Sequence, residues 1–409
     1  MTATNTPTDS PTATPTAPVT ISGTVTYGNA IGSPATRAVP NVVLSGSGAP
    51  PVVALTDLSG AYSLSGFGSG AYDVTATKVG DDRGFINAFD AALIAQHVVG
   101  PPLPVLTGNQ LVVADVSGNG GITSFDAGEI ANYVVQLEPI GATATWRFLP
   151  QNRNYPSVTT SITGEDYSAL LMGEVSGDWI IQNNRLSSGP QESASVKLPQ
   201  MAATTGDEVI VPVRVRGAAN KGVIAYEFNL RYDPSVVQPQ EHPVDLVGTA
   251  SERLAVAFNA NEPGLLRVAV YGATPIDGSS ILANLRFTAV GATGSVSPIT
   301  WERFMLNGGA YTTLVTDGQI AIVSANQGEV DGRVADTMGR GVANAVVTLT
   351  DTTGQTRVAL SDASGSYRFD GLQTGQTYTI SVDSNRHHFA PMTVSVAGRT
   401  TSLNMVADQ

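Results

Sequence analysis

The 409-residue sequence contains no cysteine, and only 13% of its residues are charged. Without cysteine, disulfides, thiolate metal sites and cysteine nucleophiles are all excluded. The 34 Asp and Glu residues outnumber the 21 Lys and Arg residues, and this acidic balance argues against binding to nucleic acid or to anionic membranes. No apolar run approaches the ~20 residues that span a bilayer. The amino terminus also lacks the basic-then-apolar order of a signal peptide, so we expect a mature or excised chain.

Motifs of the common enzyme classes are missing as well. The sequence has no GxSxG elbow, no HExxH, no P-loop and no dinucleotide fingerprint. The four histidines are not spaced as metal ligands, and the adjacent pair His387-His388 would point to opposite faces of a strand. We therefore predict that the chain is not an enzyme.

The composition favours strands and turns over helices. The chain contains 43 Gly and 24 Pro, mostly between short alternating runs. A chain of this length predicts about three or four domains. The predicted fold class is mainly β, a multidomain chain of β-sandwiches with one small α-helical calcium-loop domain. A Thr/Pro-rich arm, residues 1–18, precedes them as a stiff linker with the composition of stalks that carry O-linked glycans.

Residues 115–126 have the spacing of a calcium-binding loop. Oxygen-bearing side chains occupy the first, third, fifth and twelfth positions, and Gly120 holds the sixth, where the chain turns sharply. Ca²⁺ takes six to eight oxygen ligands, which alternate residues of a tight loop can aim at one point. We expect this Ca²⁺ site to be formed by Asp115, Ser117, Asn119, the carbonyl of Gly121 and Asp126.

The loop resembles a dockerin repeat, since its last acid is Asp and the strand-like run 111–114 precedes it. Residues 84–91 repeat its back half ahead of a helical pattern, although the front half is degraded. The candidate oxygen donors of this weaker copy are Asp81, Asp82, Asn87 and Asp90. The alternative is a turn whose helix packs against the helix of the other repeat.

The tail of this region, which we assign to residues 79–183, contains a third half-loop. Glu174, Ser176 and Asp178 stand at alternate positions, after a Trp146-Arg147-Phe148 segment. Two interpretations stay open: the half-loop completes a calcium shell that the first repeat lacks, or it is a polar turn.

The resemblance also implies an interaction surface. Dockerins use the tenth and eleventh loop positions for recognition, which here are Ala88-Phe89 and Ser124-Phe125. A Phe in both copies favours a drier contact with a protein partner. The alternative is packing within the chain, against the Trp146–Phe148 segment or the neighbouring sandwich.

An internal repeat brackets the chain. The phrases of residues 19–78 return in residues 326–409, with Gly23 matching Gly332 and Tyr62 matching Tyr367 about 305 residues later. The strand-turn pattern TD-x-SG-x-Y resembles the carboxypeptidase regulatory-like family, small sandwiches of transthyretin type. The tyrosines of this pattern are expected to point into each core.

Residues 192–324 alternate regularly as an all-β domain. Strands are predicted at 209–215, 224–232, 254–258, 265–271, 281–290 and 319–323. The phrases KGVIAYEFNLRYDPSVV and ILANLRFTAVG resemble a cohesin module, which implies a nine-stranded jelly roll. Its aromatic residues are expected to face inward, which disfavours a sugar-binding platform.

Together these features predict a calcium-stabilised structural or adhesive protein of a bacterial surface. Its partner would be another copy of the chain, assembling head to tail into filaments, or a foreign cohesin- or dockerin-type module. Two alternatives stay open: a scaffolding fragment of a larger secreted enzyme, and an array of carbohydrate-binding modules.

Overall fold

The computed structural model describes residues 18–80, 84–138, 140–180, 193–276, 281–324, 326, 328–396, 399–400 and 403–408. These residues form two compact units. The first contains described residues up to 80, residues 146–170 and residues 179–180, and the second contains the rest. The mainly β, multidomain fold class is confirmed. The predicted arm lies outside the described residues apart from Pro18.

The first unit is a β-sandwich of two four-stranded sheets, with strand orders β4-β1-β8-β6 and β3-β2-β5-β7. Along its strands, buried and exposed side chains mostly alternate, as expected when one face of each sheet is covered. Its strands are β1 Thr20–Tyr27, β2 Val43–Ser47, β3 Val52–Leu55, β4 Ala61–Ser65, β5 Tyr72–Thr77, β6 Trp146–Leu149, β7 Asn152–Tyr155 and β8 Tyr167–Leu171.

The last three strands of this sandwich come from the region that we assigned to the dockerin-like domain. Strand β8 runs parallel to β1, and β7 pairs antiparallel with β5. Residues 146–170 therefore complete the first sandwich, and the predicted boundary near residue 78 is wrong for them. Strands so distant in sequence pair without any local sequence signal of their partner. These residues were assigned to the helical domain because they follow its helices in the chain.

The last sandwich repeats this fold without interruption. The hydroxyl of Tyr62 donates to the carbonyl of Glu165, 2.6 Å away, and Tyr367 donates in the same way to Leu403. Both tyrosines are buried, as predicted. The strands are β20 Gly328–Ala335, β21 Val346–Thr350, β22 Thr356–Leu360, β23 Ser366–Leu372, β24 Thr377–Asp383, β25 Met392–Ser395, β26 Arg399–Thr400 and β27 Met405–Val406. The first sandwich thus differs from the last by a long helical insertion between strands β5 and β6.

The insertion contains three helices, α1 Ala88–Val99, α2 Asn109–Ala114 and α3 Ser124–Val134. Asn87 caps α1 and Thr123 caps α3, each in a reciprocal capping box with an Asp three residues later. The strand-like run predicted at 111–114 is wrong, because it forms the end of α2. Its Val-rich sequence favours a strand locally, but burial of Val113 and Ala114 favours the helix. None of the described helices is long and apolar enough to cross a bilayer.

The middle sandwich has eleven strands where the resemblance implied nine. All six predicted strands are present, and the longest strand of this sandwich, Val296–Leu306, is among the five that were not predicted. Its buried residues form one large hydrophobic core. The strands are β9 Ser193–Lys197, β10 Gln200–Ala203, β11 Glu208–Arg216, β12 Ala225–Arg231, β13 Val237–Asp245, β14 Ala255–Asn259, β15 Leu265–Tyr271, β16 Ile281–Ala289, β17 Val296–Leu306, β18 Thr312–Thr316 and β19 Gly318–Ile322.

One sheet runs through the middle and last sandwiches. Its order is β14-β15-β12-β17-β19-β10-β22-β21-β24-β25, and β10 meets β22 where Met201 lies opposite Thr356. The guanidinium of Arg214 also contacts Asp383 and Thr348 across this junction. Hydrogen bonds and an ion pair therefore join the two sandwiches.

Candidate functional site

The predicted calcium loop at residues 115–126 is a closed turn stabilised by its own acids. The carboxylate of Asp115 accepts hydrogen bonds from the backbone N–H groups of Asn119, at 3.2 Å, and Gly120, at 3.0 Å. Gly120 has a φ of 85°, a conformation that favours glycine. The carboxylate of Asp126 is buried and accepts from the N–H of Ser117, at 3.0 Å. The two carboxylates thus accept hydrogen bonds from neighbouring N–H groups of the same turn.

The weaker repeat and the third half-loop come together in the structure. One oxygen of Asp90 accepts the backbone N–H groups of Val175 and Ser176, both at 2.8 Å. Glu174 accepts from the Ser176 hydroxyl and the Asp178 N–H, again at 2.8 Å. Residues 84–90 and 174–178 therefore form one split loop, although 83 residues separate its halves in the chain.

The split loop has the same hydrogen bonds as the intact one. Ser176 donates its N–H to Asp90 as Ser117 does to Asp126. Asp178 donates to Glu174 as Asn119 does to Asp115. Glu174, Ser176 and Asp178 thus occupy the first, third and fifth positions, and Asp90 the twelfth. These hydrogen bonds place the half-loop where the front half of the first repeat's loop would lie.

Of the three other predicted oxygen donors of this loop, only Asn87 lies among the described residues. The side-chain oxygen of Asn87 accepts from the N–H of Phe89, at 2.9 Å, so it caps helix α1. Asp81 and Asp82 lie outside the described residues.

The two loops differ in electrostatics. Asp90 and Glu174 are both fully buried. Burial, together with repulsion from Glu174 and Asp178, holds the pKa of Asp90 well above its ordinary value. Among the described side chains, no three Asp, Glu or His residues converge as a metal cluster. A cation in either loop must therefore also take hydroxyl, amide or backbone oxygens, the ligands that Ca²⁺ accepts.

The helices behind the loops pack on a sheet of the middle sandwich. Ala88 and Ala92 of α1, with Ala131 of α3, form one buried cluster with Ala225 of β12 and Ala269 of β15. Ile224 and Val135 are buried in the same cluster, and Phe89, Val134, Leu137, Ala257 and Tyr271 pack around it. We call this contact the helix–sheet interface. Its small side chains let helix and sheet backbones approach closely.

A buried carboxylate lies at the start of α1. Glu227 of β12 is 4% exposed, and its Oε2 accepts the backbone N–H of Ala88 at 2.8 Å. Its Oε1 pairs with Arg303 at 2.7 Å. The sheet thus satisfies a free N–H of the first helical turn with an acid, which the helix dipole favours. Burial raises the pKa of Glu227, against the opposing effects of Arg303 and the Ala88 N–H.

Side-chain amides make further contacts across the helix–sheet interface. Gln96 of α1 donates to the carbonyl of Ala273, at 3.2 Å. Asn259 of β14 donates to the carbonyl of Val135, at 2.9 Å, just beyond α3. Both helices are therefore held to the sheet by hydrogen bonds as well as by apolar packing.

The predicted interaction residues divide between the two repeats. Ala88 is buried in the helix–sheet interface and Phe89 packs at its edge. Ser124 and Phe125 are exposed, and Phe125 keeps 50% of its surface. They line an open groove between α3 and strand β14. Packing of Phe89 against the neighbouring sandwich was one of the two alternatives, and the structure shows it.

The aromatic residues of the middle sandwich do not form an exposed platform. Tyr226 and Tyr232 are buried, and Tyr271, Trp301 and Tyr311 are half-buried. Trp301 packs edge-on against Phe228. The inward orientation predicted for most of them is confirmed, and it disfavours the carbohydrate-binding alternative.

Sequence reasoning missed Glu227, Arg303 and Asn259 as interface residues. The signal for Glu227 was present in the KG-x4-E pattern that begins at Lys221, because a charged residue within a buried strand needs a partner. Asn259 and Arg303 lie on strands whose neighbours only the fold reveals.

Comparisons with known families agree with two of the resemblances. Residues 194–328 match the model of the cohesin domain, and residues 329–407 match that of the carboxypeptidase regulatory-like domain. No curated protein matches the chain. A dockerin match is not among these findings.

The similar solved structures include cohesins. The sixth cohesin of Acetivibrio cellulolyticus scaffoldin B, solved with a Cel5 dockerin mutant, is 18% identical with a TM-score of 0.29, covering 32% of this chain and 99% of that one. A non-cellulosomal cohesin of Archaeoglobus fulgidus is also 18% identical with a TM-score of 0.28, covering 32% and 92%. By the family models, two consecutive segments of the chain thus resemble a cohesin domain and a carboxypeptidase regulatory-like domain.

Proposed function

We propose that this chain is a non-catalytic, calcium-stabilised structural segment of an extracellular bacterial surface protein. In it, a dockerin-like helix pair is bound by the cohesin domain of the same polypeptide. The helix–sheet interface is the observation that supports this proposal most directly. The cohesin family match supports a role in protein–protein interaction.

Internal docking has a clear energetic basis. The interface buries seven apolar residues and places Glu227 against both a helix amide and Arg303. Attachment within one chain raises the effective concentration of the helices at the sheet above that of a free partner. Internal docking therefore competes well against a foreign partner. The same contact between neighbouring copies would be heterologous and would build open filaments, so exchange between chains is the route to the predicted filament.

Calcium would complete both loops. In the intact loop, Asp115, Ser117, Asn119, Asp126 and the Gly121 carbonyl would hold one ion. In the split loop, Glu174, Ser176, Asp178 and Asp90 would hold a second. Ca²⁺ there would offset the repulsion between the buried acids and clamp the start of α1 to residues 174–178.

Counting ions tests the calcium proposal. The protein is dialysed against micromolar Ca²⁺, and bound metal is measured by native mass spectrometry. We expect two ions in the unmodified chain and one in either Asp115→Asn or Glu174→Gln. An unchanged count in Glu174→Gln would remove the split loop from the proposal, and no bound ion at all would overturn its calcium part.

Hydrogen exchange tests the internal docking. Amides of α1, α3, β12 and β15 should be protected in Ca²⁺ at protein concentrations low enough to exclude association. Ala131→Arg places a long charged side chain in the buried cluster and should expose all four elements together. Leu111→Arg, at an exposed position of the same insertion and outside the cluster, is the control. Protection that falls on dilution would show that the docking occurs between chains.

A further inference from the structure

The two carboxypeptidase regulatory-like copies differ in what covers one face. The face is the outer side of the sheet β3-β2-β5-β7, at its β3 edge. Within the described part of the chain, β3 pairs only with β2. Its two outward side chains, Val53 and Leu55, are 66% and 60% exposed. We name this surface the β3 face; its residues are Val43, Ser45, Val53, Leu55, Thr75 and Thr77.

The equivalent face in the last sandwich is a domain junction. Strand registers match between the copies, since Ser45 lies opposite Val53 and Thr348 lies opposite Val358. Val358 packs against the core of the cohesin domain. The neighbouring Thr348 accepts a hydrogen bond from Arg214, at 3.1 Å. One copy thus shows that this face of the fold can bind another β-sandwich.

Charge distinguishes the two faces. In the last sandwich, Asp383 lies opposite Val346 and pairs with Arg214 of the cohesin domain. The corresponding residue in the first copy is Thr77, opposite Val43. None of the six residues of the β3 face is charged. Two acids lie beyond its ends, Asp57 two residues after Leu55 and Asp73 opposite Ser47. The first copy therefore lacks the acid that pairs with Arg214 in the junction.

An uncharged face with two exposed apolar side chains, Val53 and Leu55, suits a two-fold contact. In a symmetric dimer every residue near the axis meets its own copy, so charged residues would repel and apolar residues complement each other. Edge strands usually carry lysines or other charges that keep two copies of a chain apart. Strand β3 is an edge strand and carries no charge. We infer that the β3 face pairs with the β3 face of a second copy of the chain.

Sedimentation velocity over a concentration series tests the pairing. We expect a reversible dimer of the unmodified chain, both in Ca²⁺ and in chelator, because no calcium ligand lies on the β3 face. Val53→Lys should weaken dimerisation at least about tenfold, since it brings two ammonium groups together in a desolvated contact. Leu314→Lys is the matched control, because Leu314 is 62% exposed on the edge strand β18 of the cohesin domain. It should leave the dimer unchanged.

Site-specific cross-linking provides a second readout that does not require a destabilising change. The chain has no cysteine, so Val53→Cys introduces a single thiol. A short bismaleimide should link Val53→Cys into dimers and leave Leu314→Cys monomeric. A chain that stays monomeric at all concentrations overturns the inference. So does a dimer that Val53→Lys leaves intact, or one cross-linked through Leu314→Cys alone.

Discussion

The backbone N–H of Ala88 donates a 2.8 Å hydrogen bond to Oε2 of Glu227, 139 residues further along the chain. The donor begins helix α1 of the insertion, and the acceptor lies within strand β12 of the middle sandwich. Because both groups are buried, neither can exchange its partner for water. This contact fixes the first turn of α1 on the sheet, and it leads to the first prediction.

Replacing Glu227 with Ala should loosen α1. The change leaves the Ala88 N–H without its acceptor in a buried position, which costs about 1–3 kcal/mol. We expect faster hydrogen exchange in α1 and a lower free energy of unfolding in urea. Glu302→Ala is the control, because Glu302 pairs with Arg231 at the exposed surface and such pairs contribute at most ~1 kcal/mol. Equal effects of the two changes would contradict the assigned role of Glu227.

Asp115→Asn should weaken the stabilisation by calcium. If Ca²⁺ at 100 times its dissociation constant binds only the folded state, it adds about 2.7 kcal/mol. The variant should lose the part of the difference in unfolding midpoint between Ca²⁺ and chelator that comes from the ion in the intact loop, and residues 84–138 should become more sensitive to protease. Asp351→Asn, in a turn of the last sandwich, should keep the full calcium effect. Unchanged protease resistance in Asp115→Asn would contradict the prediction, and so would any unfolding of the sandwiches.

Gly23→Ala should destabilise the first sandwich. A Cβ at this position would lie 2.5 Å from the carbonyl oxygen of Glu165, a backbone atom of the returning segment. Relieving this clash requires backbone movement, which typically costs about 1–3 kcal/mol. Gly70→Ala is the control, since nothing lies within 4 Å of its Cβ and its φ is not positive. Equal thermal stability of the two variants would show that residues 146–170 do not pack on β1 in this way.

Asp57 should contribute to acid sensitivity of the first sandwich. The Ser59 hydroxyl and the backbone N–H groups of Ala61 and Ser59 hold the pKa of Asp57 below its ordinary value. A lowered pKa in the folded state gives stability that is present above the unfolded pKa and is lost as pH falls through the folded one. Asp57→Asn should therefore flatten the decline of the unfolding temperature between about pH 5 and pH 3. Parallel curves for variant and unmodified protein would contradict this.

Local patterns were sufficient for some features of this chain. Alternating runs predicted six of the eleven strands of the middle sandwich, since burial on one face of a sheet imposes a period of two. The loop at residues 115–126 was recognisable because its oxygen donors and Gly120 all lie within twelve residues. The repeat of Tyr62 as Tyr367 revealed two similar sandwiches, and both side chains are buried in equivalent positions.

Other features depend on contacts between residues far apart in the chain. The sequence by itself determined six strands of the middle sandwich, the intact loop and the repeated sandwich fold. Only the tertiary structure decided that residues 146–170 return to the first sandwich, that Glu174 joins Asp90 in one loop, and that Glu227 binds the start of α1. The physical reason is that strand pairing, loop closure and burial of a charge each depend on a partner whose position the local sequence does not encode.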